Sequence, residues 1–232
     1  MKIPLSKRLL ACSNFVCPGD RVADIGCDHG YLGIYLLLNH IASSVISADI
    51  NPQPLDSAKR NATKYGTRDK MQFCLSDGAK DIPRDFDTMV CAGMGADTII
   101  SILKSAIWLQ SSRYRLILQC QSKIHTLRKY LSNAGWRIAE ESVLRDGRFL
   151  YTVMEVIWQP DYPKLTTGEY YFPSAILENP SPEVPEYYQS VVFRLERAIK
   201  GRGETDGEMV AALHELRSLV AQPELKWLED KE

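Results

Sequence analysis

The sequence lacks a strong net charge, a regular cysteine pattern and any long apolar run. Its formal net charge is −1, so composition gives no global basic signal for nucleic acid, although a local basic face suffices to bind RNA. The six cysteines include no C-x-x-C pair, which argues against a zinc site or a disulfide framework. The opening stretch "MKIPLSKRLLACSNFV" has no signal-peptide core, and no later stretch reaches transmembrane length. We therefore expect a cytoplasmic protein with no membrane contact and no metal.

Apolar runs of strand character alternate with helical segments along most of the chain. Parallel strands need crossover connections, so this alternation predicts an α/β fold with a mainly parallel sheet. The dipeptide Asp146-Gly147 separates two β-rich runs, a strong hairpin signal that makes the final strand antiparallel. That combination is typical of seven-stranded, Rossmann-like methyltransferase sheets, whereas dinucleotide-binding domains are usually all parallel. The five parallel strand candidates are residues 21–25, 44–49, 71–75, 86–92 and 114–119.

The carboxyl-terminal part of the sequence has a different composition and pattern. Prolines are frequent after Trp158, and two amphipathic helical patterns follow, separated by residues 201–207. These patterns predict a small, coiled-coil-like αα-hairpin. We expect residues 1–158 to form the α/β domain and residues 159–232 to form a linker and the hairpin. The helices can pair within the chain or between chains, so a monomer and a weak homodimer are both compatible with the sequence.

The turn after the first strand, Asp24-x-Gly26-x-Asp28-x-Gly30, is the most informative motif. Ligands of open α/β sheets bind at such strand ends, and glycine lets a ligand approach the backbone. The turn differs from the dinucleotide fingerprint, because Asp28 stands where a glycine would admit pyrophosphate. A carboxylate there repels phosphate but suits S-adenosylmethionine, which carries a sulfonium and an ammonium group. Aspartate and glycine also form ordinary turns, so the motif alone leaves both interpretations open.

Carboxylates also follow the second and third strands. Asp49 can accept hydrogen bonds from ribose hydroxyls or cap the next helix, and Asp77 can accept from an adenine amino group or form a plain turn. Three strand ends with carboxylates at one sheet edge favour S-adenosylmethionine. We count His29 among the cofactor-binding candidates, although histidine is also common in turns. The cofactor-binding candidates are Asp24, Gly26, His29, Gly30, Asp49, Ile50, Asn51, Asp77, Gly78, Ala92 and Gly93.

The fourth strand is followed by Gly93-Met94-Gly95. Its backbone amides and thioether can form a wall of a methyl-transfer site. A glycine turn with a core methionine explains the same residues equally well.

Together these motifs resemble the bacterial tRNA (adenine-N1) methyltransferase family, which modifies adenine 22 of tRNA. The matching stretches are "LSKRL", "ADIGCDHGYLGIYL", "GMG", "ILQ", "LRKYL…GW" and the helical hairpin. The resemblance runs from residue 5 to about residue 158, and more loosely beyond. The sequence departs from the family pattern at Gly33, at Ala96 and at Cys120-Gln121, where the family usually has proline, glycine and Pro-Asn.

The resemblance implies an enzyme that uses S-adenosylmethionine to methylate N1 of an adenine extruded from tRNA. Adenine N1 is unprotonated and needs no general base, so alignment and water exclusion are the main tasks. Asp28 is the catalytic candidate, because its carboxylate can stabilise the cationic product ring. The expected substrate contacts are Lys7, Arg8, Tyr31, Met94, Gly95, Gln119, Cys120 and Gln121.

Basic side chains would bind the RNA phosphates, although each also fits a solvated face. The candidates are Lys2, Lys7, Arg8, Arg128, Lys129, Arg194, Arg197, Lys200 and Arg202. Two other functions stay open. The first is an NAD-dependent oxidoreductase, against which Asp28 and the terminal hairpin argue. The second is an inactive, methyltransferase-like RNA-binding protein, which the change at Cys120-Gln121 permits.

Overall fold

A seven-stranded sheet forms the centre of the protein in the computed structural model, which describes residues 3–202 and 207–229. The strands are β1 (Asp20–Ile25), β2 (Ala42–Asp49), β3 (Met71–Leu75), β4 (Thr88–Gly95), β5 (Arg115–Ser122), β6 (Trp136–Asp146) and β7 (Phe149–Trp158). Their order is β3-β2-β1-β4-β5-β7-β6. Strands β1 to β5 are parallel, and β7 is antiparallel to both of its neighbours. The predicted fold class is confirmed.

Helices cover both faces of the sheet. They are α1 (Lys7–Asn14), α2 (Tyr31–Leu38), α3 (Pro52–Lys64), α4 (Ala96–Ser105), α5 (Ile124–Asn133), α6 (Ala175–Glu178), α7 (Val184–Arg202) and α8 (Gly207–Val220). Helices α1 and α2 pack on one face through Cys12, Leu32 and Ile34, whereas α4 and α5 pack on the other through Ile99 and Leu127. Short 3₁₀ turns lie at Arg68–Lys70, Ile107–Leu109 and Pro223–Glu229.

Two predicted boundaries needed correction. The fourth strand continues through Gly95, so Gly93-Met94-Gly95 belongs to the strand end rather than to a separate turn. The register of β4 against β5 shifts twice within that segment, and Gly93 has φ +79°. This irregular end is what a backbone bulge produces. The sequence predicts a helix over residues 97–108, but the helix ends at Ser105, and a 3₁₀ turn follows it.

The carboxyl-terminal helices share a core with the far end of the sheet. Val143 of β6 packs with Phe172, Ile176 and residues of α7 and α8. The Tyr188 hydroxyl of α7 donates a hydrogen bond to the Leu216 carbonyl of α8 at 2.8 Å. The two predicted amphipathic helices therefore pack on each other. Residues 203–206 of the predicted turn between them lie outside the described residues, as do Lys2 and the Arg202 side chain.

Arg128 is a buried ionic centre that joins three parts of the chain. Its guanidinium is fully buried and contacts both carboxylate oxygens of Glu141 on β6, at 3.1 and 2.6 Å. It also donates to the carbonyls of Tyr170 and Tyr171 and to the Tyr187 hydroxyl of α7. Arg128 thus cannot contact an RNA phosphate, and that prediction was wrong.

The spacing of apolar residues in the sequence did not indicate that Arg128 faces inward. The next residue, Lys129, forms an ion pair with Glu208 at the start of α8.

Replacing Arg128 with alanine is expected to lower the free energy of unfolding by about 3–5 kcal/mol, because Glu141 would keep a buried charge without a partner. Urea denaturation followed by circular dichroism measures this. Arg217→Ala is the control: Arg217 is exposed and pairs with Glu196, and loss of a surface pair costs about 1 kcal/mol or less. Equal effects of the two substitutions would contradict the assignment.

Candidate functional site

A cavity of about 300 Å³ opens at the carboxyl-terminal edge of the parallel strands. It lies between the ends of β1, β4 and β5 and the amino-terminal half of α1. Chain connections leave β1 and β4 toward opposite sides of the sheet here, which is where α/β sheets bind their ligands. The lining residues are Ser6, Arg8, Leu9, Asp24, Gly26, Cys27, Asp28, His29, Tyr31, Leu32, Ala92, Gly93, Gln119 and Gln121.

Asp24 is the most unusual group in the cavity. Its side chain is 4% exposed, and its Oδ2 has no hydrogen-bond partner among the described residues. Burial, and then the negative charges of Asp49 and Asp28, raise the pKa of Asp24 to about 7. A buried carboxylate without a partner is costly, and a bound cation removes that cost. The cavity is therefore electrostatically suited to a positively charged ligand.

The Asp49 carboxylate connects the end of β2 to the turn that follows β1. Its Oδ1 accepts a hydrogen bond from the Asn51 amide at 2.9 Å, and its Oδ2 accepts from the Asp28 amide at 3.3 Å. The carboxylate thus holds both the residue before α3 and the turn that follows β1, but the N-cap of α3 is Asn51, so Asp49 is not the helix cap that the alternative expected. Each oxygen keeps a second lone pair for a ligand hydroxyl.

The turn after β1 is tight because the neighbouring strand lies against it. Gly26 has φ +71°, and a Cβ atom there would lie 2.3 Å from the Met94 Cε. Met94 therefore packs directly on the Gly26 backbone. Gly30 has φ +70°, and its Cβ would lie 2.9 Å from that of Ala58 on α3, so this glycine serves helix packing.

Asp28 adopts φ +49°, an uncommon conformation that aspartate tolerates better than most residues. Its backbone amide is held by Asp49, whereas its side chain is 71% exposed and lies 3.6 Å from the His29 Nε2. The carboxylate therefore stands at the mouth of the cavity without serving the turn. His29 in turn lies beside Tyr31, with ring centroids 5.8 Å apart.

The opposite wall is formed by β4 and β5. The buried Gln119 side chain accepts from the Gly93 amide at 3.0 Å and donates to the Cys120 carbonyl at 3.2 Å. It therefore fixes the irregular end of β4. Gln121 is exposed at the cavity wall. Cys120 lies between the two on the other face of β5, because side chains alternate along a strand, and it is buried in the core. Its predicted contact with substrate in the cavity does not fit this position.

Several predicted site residues lie next to the cavity but do not line it. Ile50 and Asn51 are exposed beyond Asp49, with Ile50 60% exposed. Asp77 forms an ion pair with Lys80, and Gly78 packs against Ile102.

The remaining predicted contacts fall on the other side of the cavity. Lys7 is exposed on α1, and Gly95 packs against Ser122. Arg8 lines the cavity and donates to Asp146 at 3.0 Å. The structure therefore gathers the residues of the first turn, β4 and β5 around one cavity, and leaves Lys7 and Asp77 outside its lining.

Sequence reasoning missed four lining residues: Ser6, Leu9, Cys27 and Leu32. The sequence predicts a helix over residues 5–16 with Leu9 in its apolar stripe, but it does not indicate where that helix docks. The Ser6 hydroxyl accepts from the Leu9 amide, so an N-cap motif was a usable signal for the start of α1.

No metal centre is evident among the residues that the structure describes. Within them, no group of three or more His, Cys, Asp or Glu side chains is placed to hold a metal ion. No helix in the described ranges has the length and apolarity needed to cross a membrane.

Comparison with known proteins agrees with this geometry. A family model described as a methyltransferase domain matches residues 5–154. The Bacillus subtilis tRNA (adenine(22)-N(1))-methyltransferase is 33% identical over 154 residues, which are 66% of this chain and 65% of the relative. The chain thus aligns with slightly less than two thirds of that relative's length.

Solved structures extend the similarity through the carboxyl-terminal helices. The B. subtilis m1A22 tRNA methyltransferase TrmK superposes with a TM-score of 0.77 at 26% identity, covering 99% of this chain and 100% of that one. Streptococcus pneumoniae Sp1610 in complex with S-adenosyl-L-methionine gives a TM-score of 0.80 at 27% identity, covering 92% and 98%.

The fold and the cavity define a Rossmann-like methyltransferase, a class whose methyl donor is S-adenosylmethionine. The sequence-based expectation of the cofactor is confirmed at that level. More narrowly, the chain belongs to the bacterial tRNA (adenine-22-N1)-methyltransferase family, as the motifs indicated.

Gly26→Ala is expected to weaken S-adenosylmethionine binding at least about tenfold, because the new Cβ combines a strained φ with displacement of Met94. Isothermal titration calorimetry measures the effect. Gly66→Ala is a matched control, since Gly66 also has φ +71° but has no atom within 4 Å of the added Cβ. That control should lose some stability and keep its cofactor affinity. Equal affinity of both variants would contradict the packing argument.

Proposed function

We propose that this protein transfers the methyl group of S-adenosylmethionine to N1 of an adenine in tRNA, position 22 by family membership. The observation that carries the proposal is the buried Asp24 carboxylate, whose Oδ2 lacks a partner among the described residues. It stands at the end of β1, where a cationic donor removes the cost of its charge. Phosphate-bearing dinucleotides would add negative charge beside Asp24 and Asp28, which disfavours the NAD alternative.

The cofactor's parts match three strand ends. Asp24 would pair with the positively charged amino-acid end, and Asp49 would accept from the ribose hydroxyls through its second lone pairs. The exposed Ile50 would offer an apolar surface to the adenine ring, and the Asp77-Gly78 turn would offer an acceptor for its amino group. When bound, S-adenosylmethionine supplies a methyl group on a sulfonium, which a neutral ring nitrogen can displace.

Asp28 would act on the substrate rather than on the cofactor. Its backbone is fixed by Asp49, while its carboxylate is exposed at the cavity mouth. A carboxylate in that place can accept from the exocyclic amino group of adenine and stabilise the positive charge that the ring gains. Tyr31 offers an aromatic surface next to it, and Gln121 offers a polar group on the facing wall. Gln119 would position Gly93 and not contact the base directly.

We also propose that the protein is cytoplasmic, where tRNA is modified, and that it acts as a monomer or a weak homodimer. The apolar faces of α7 and α8 pack against each other within the same chain. Tyr188, Val191 and Leu195 of α7 are buried, as are Ala212 and Leu216 of α8.

Cofactor affinity is expected to fall as the pH drops below about 7. Only ionised Asp24 attracts the cation, and its pKa is raised to about 7, so affinity is full above that pH. Below it, the affinity should fall about tenfold for each pH unit, until the pH reaches the lower pKa that Asp24 has when the cation is bound. Titration calorimetry between pH 8 and pH 5.5 measures this. Asp24→Asn should bind more weakly at pH 8 and lose most of the pH dependence. An unchanged pH profile in that variant would assign the titration to another group.

The decisive assay combines purified protein, labelled S-adenosylmethionine and bulk tRNA, followed by mass spectrometry of the nucleosides. The expected product is 1-methyladenosine, whereas no transfer would favour the inactive RNA-binding alternative. Asp28→Asn is expected to lower kcat about 100-fold with little change in cofactor affinity, because it removes only the charge. Asparagine tolerates positive φ, unlike alanine, so the turn is preserved. Equal losses in turnover and cofactor binding would instead place Asp28 in the cofactor site.

A further inference from the structure

The tip of the β6–β7 hairpin, residues 146–149, lies at the same sheet edge as the cavity. β6 runs parallel to β5, because each is antiparallel to β7. The β6 strand therefore ends, at Asp146, on the carboxyl-terminal side of the sheet. Pairing of β7 with β5 extends only from Arg115–Ile157 to Leu118–Met154. Residues 149–153 of β7 pair with β6 and not with β5, so this end of the hairpin continues past the β5–β7 pairing toward the edge that carries the cofactor turns.

Arg8 joins this tip to the cavity wall. It lines the cavity, and its Nε donates to the Asp146 Oδ2 at 3.0 Å. Its guanidinium also lies 4.9 Å from the centroid of the Tyr151 ring on β7. The tip is therefore held beside the mouth of the cavity. On the other side, Arg145 forms an ion pair with Glu186 of α7.

The surface of the tip combines the exposed Phe149 ring with the cation of Arg148. Phe149 is 52% exposed, and the Arg148 guanidinium lies 4.9 Å from the centre of its ring. Tyr151 stands behind it, with ring centroids 6.3 Å apart. Arg8 and Arg145 are paired with carboxylates, whereas Arg148 forms no ion pair with any residue that the structure describes. An aromatic face beside an uncompensated cation matches a nucleobase with its phosphate.

We propose that Phe149 and Arg148 form a stacking platform for an unpaired tRNA base that neighbours the target adenine. The proposal rests on the proposed function and identifies where the RNA docks. Adenine N1 lies on the Watson–Crick edge, so the target base must leave its stack before methylation. Extrusion leaves neighbouring bases without stacking partners, and an exposed aromatic ring near the cavity mouth replaces that contact. Arg148 binds the adjoining phosphate and complements its charge.

Three variants test the platform. Phe149→Ala should raise the KM for tRNA, and the tRNA Kd measured by fluorescence anisotropy, about tenfold, the effect expected for one lost stacked base. Phe149→Tyr keeps the ring and should retain wild-type values. Tyr162→Ala is the matched control. The Tyr162 ring is 40% exposed and lies 4.5 Å from the Arg137 guanidinium, the same pairing at the opposite edge of the sheet. It should leave tRNA binding unchanged.

Two further measurements make the result specific. Cofactor affinity should be unchanged in Phe149→Ala, and a thermal melt should show that the exposed substitution leaves the fold intact. Loss of tRNA binding in Phe149→Ala together with rescue by Phe149→Tyr supports the platform. Unchanged tRNA binding in Phe149→Ala overturns it and leaves the tip as a contact for another protein.

The tRNA binding measurement also separates this proposal from the proposed function. Anisotropy needs no methyl transfer, so it tests the platform even if the wild-type protein yields no 1-methyladenosine. In that case the assigned reaction fails, while the contrast between Phe149→Ala and Tyr162→Ala still decides whether the tip binds RNA.

Discussion

The structure depends on a buried negative charge at the end of β1 that the described residues leave partly unsatisfied. Asp24 lies next to Asp49, and the charge of Asp28 also acts on it, so the fold places like charges together in a region of low polarity. Such an arrangement is costly unless a cation joins it. The tight turn at Gly26 and the packing of Met94 against it keep the carboxylate where it is. The same arrangement that raises the pKa of Asp24 would, in the function proposed above, favour a cationic donor.

Arg128 is a buried charge that, unlike Asp24, has hydrogen-bond partners on several sides. It too is buried, yet it contacts the Glu141 carboxylate, two backbone carbonyls and the Tyr187 hydroxyl. A charge satisfied in this way serves architecture, since its partners come from β6, the segment after β7 and α7. The Asp24 Oδ2 has no hydrogen-bond partner among the described residues and so stays available to a cationic ligand. The two buried ions therefore differ in how completely the protein pairs them.

The ends of β1 and β2 and the glycine turn after β1 were predictable from the sequence because they follow local rules. The carboxylates at Asp24 and Asp49 fell on neighbouring strand ends, as the alternation of strands and helices required. The incorrect or missing predictions concern the direction in which a side chain faces and the place where a helix docks. Cys120 was grouped with Gln119 and Gln121, although alternation along a strand places it on the other side. The inward orientation of Arg128 depends on Glu141 and Tyr187, which are distant in sequence. The contribution of α1 to the cavity depends on tertiary contacts that no local pattern encodes.

The role of α1 shows why such contacts matter for function. This helix is short, and isolated helices of its length are unstable in water, so its position must come from the surfaces it touches. Cys12 fixes it to the sheet core, and Arg8 ties it to Asp146, which is 138 residues away in sequence. The Arg8 side chain lines the cavity and also contacts Asp146 at the hairpin tip. A shift of α1 would therefore change the cavity and the tip together. Through that physical link, RNA bound at the tip as proposed above and a ligand in the cavity would affect each other.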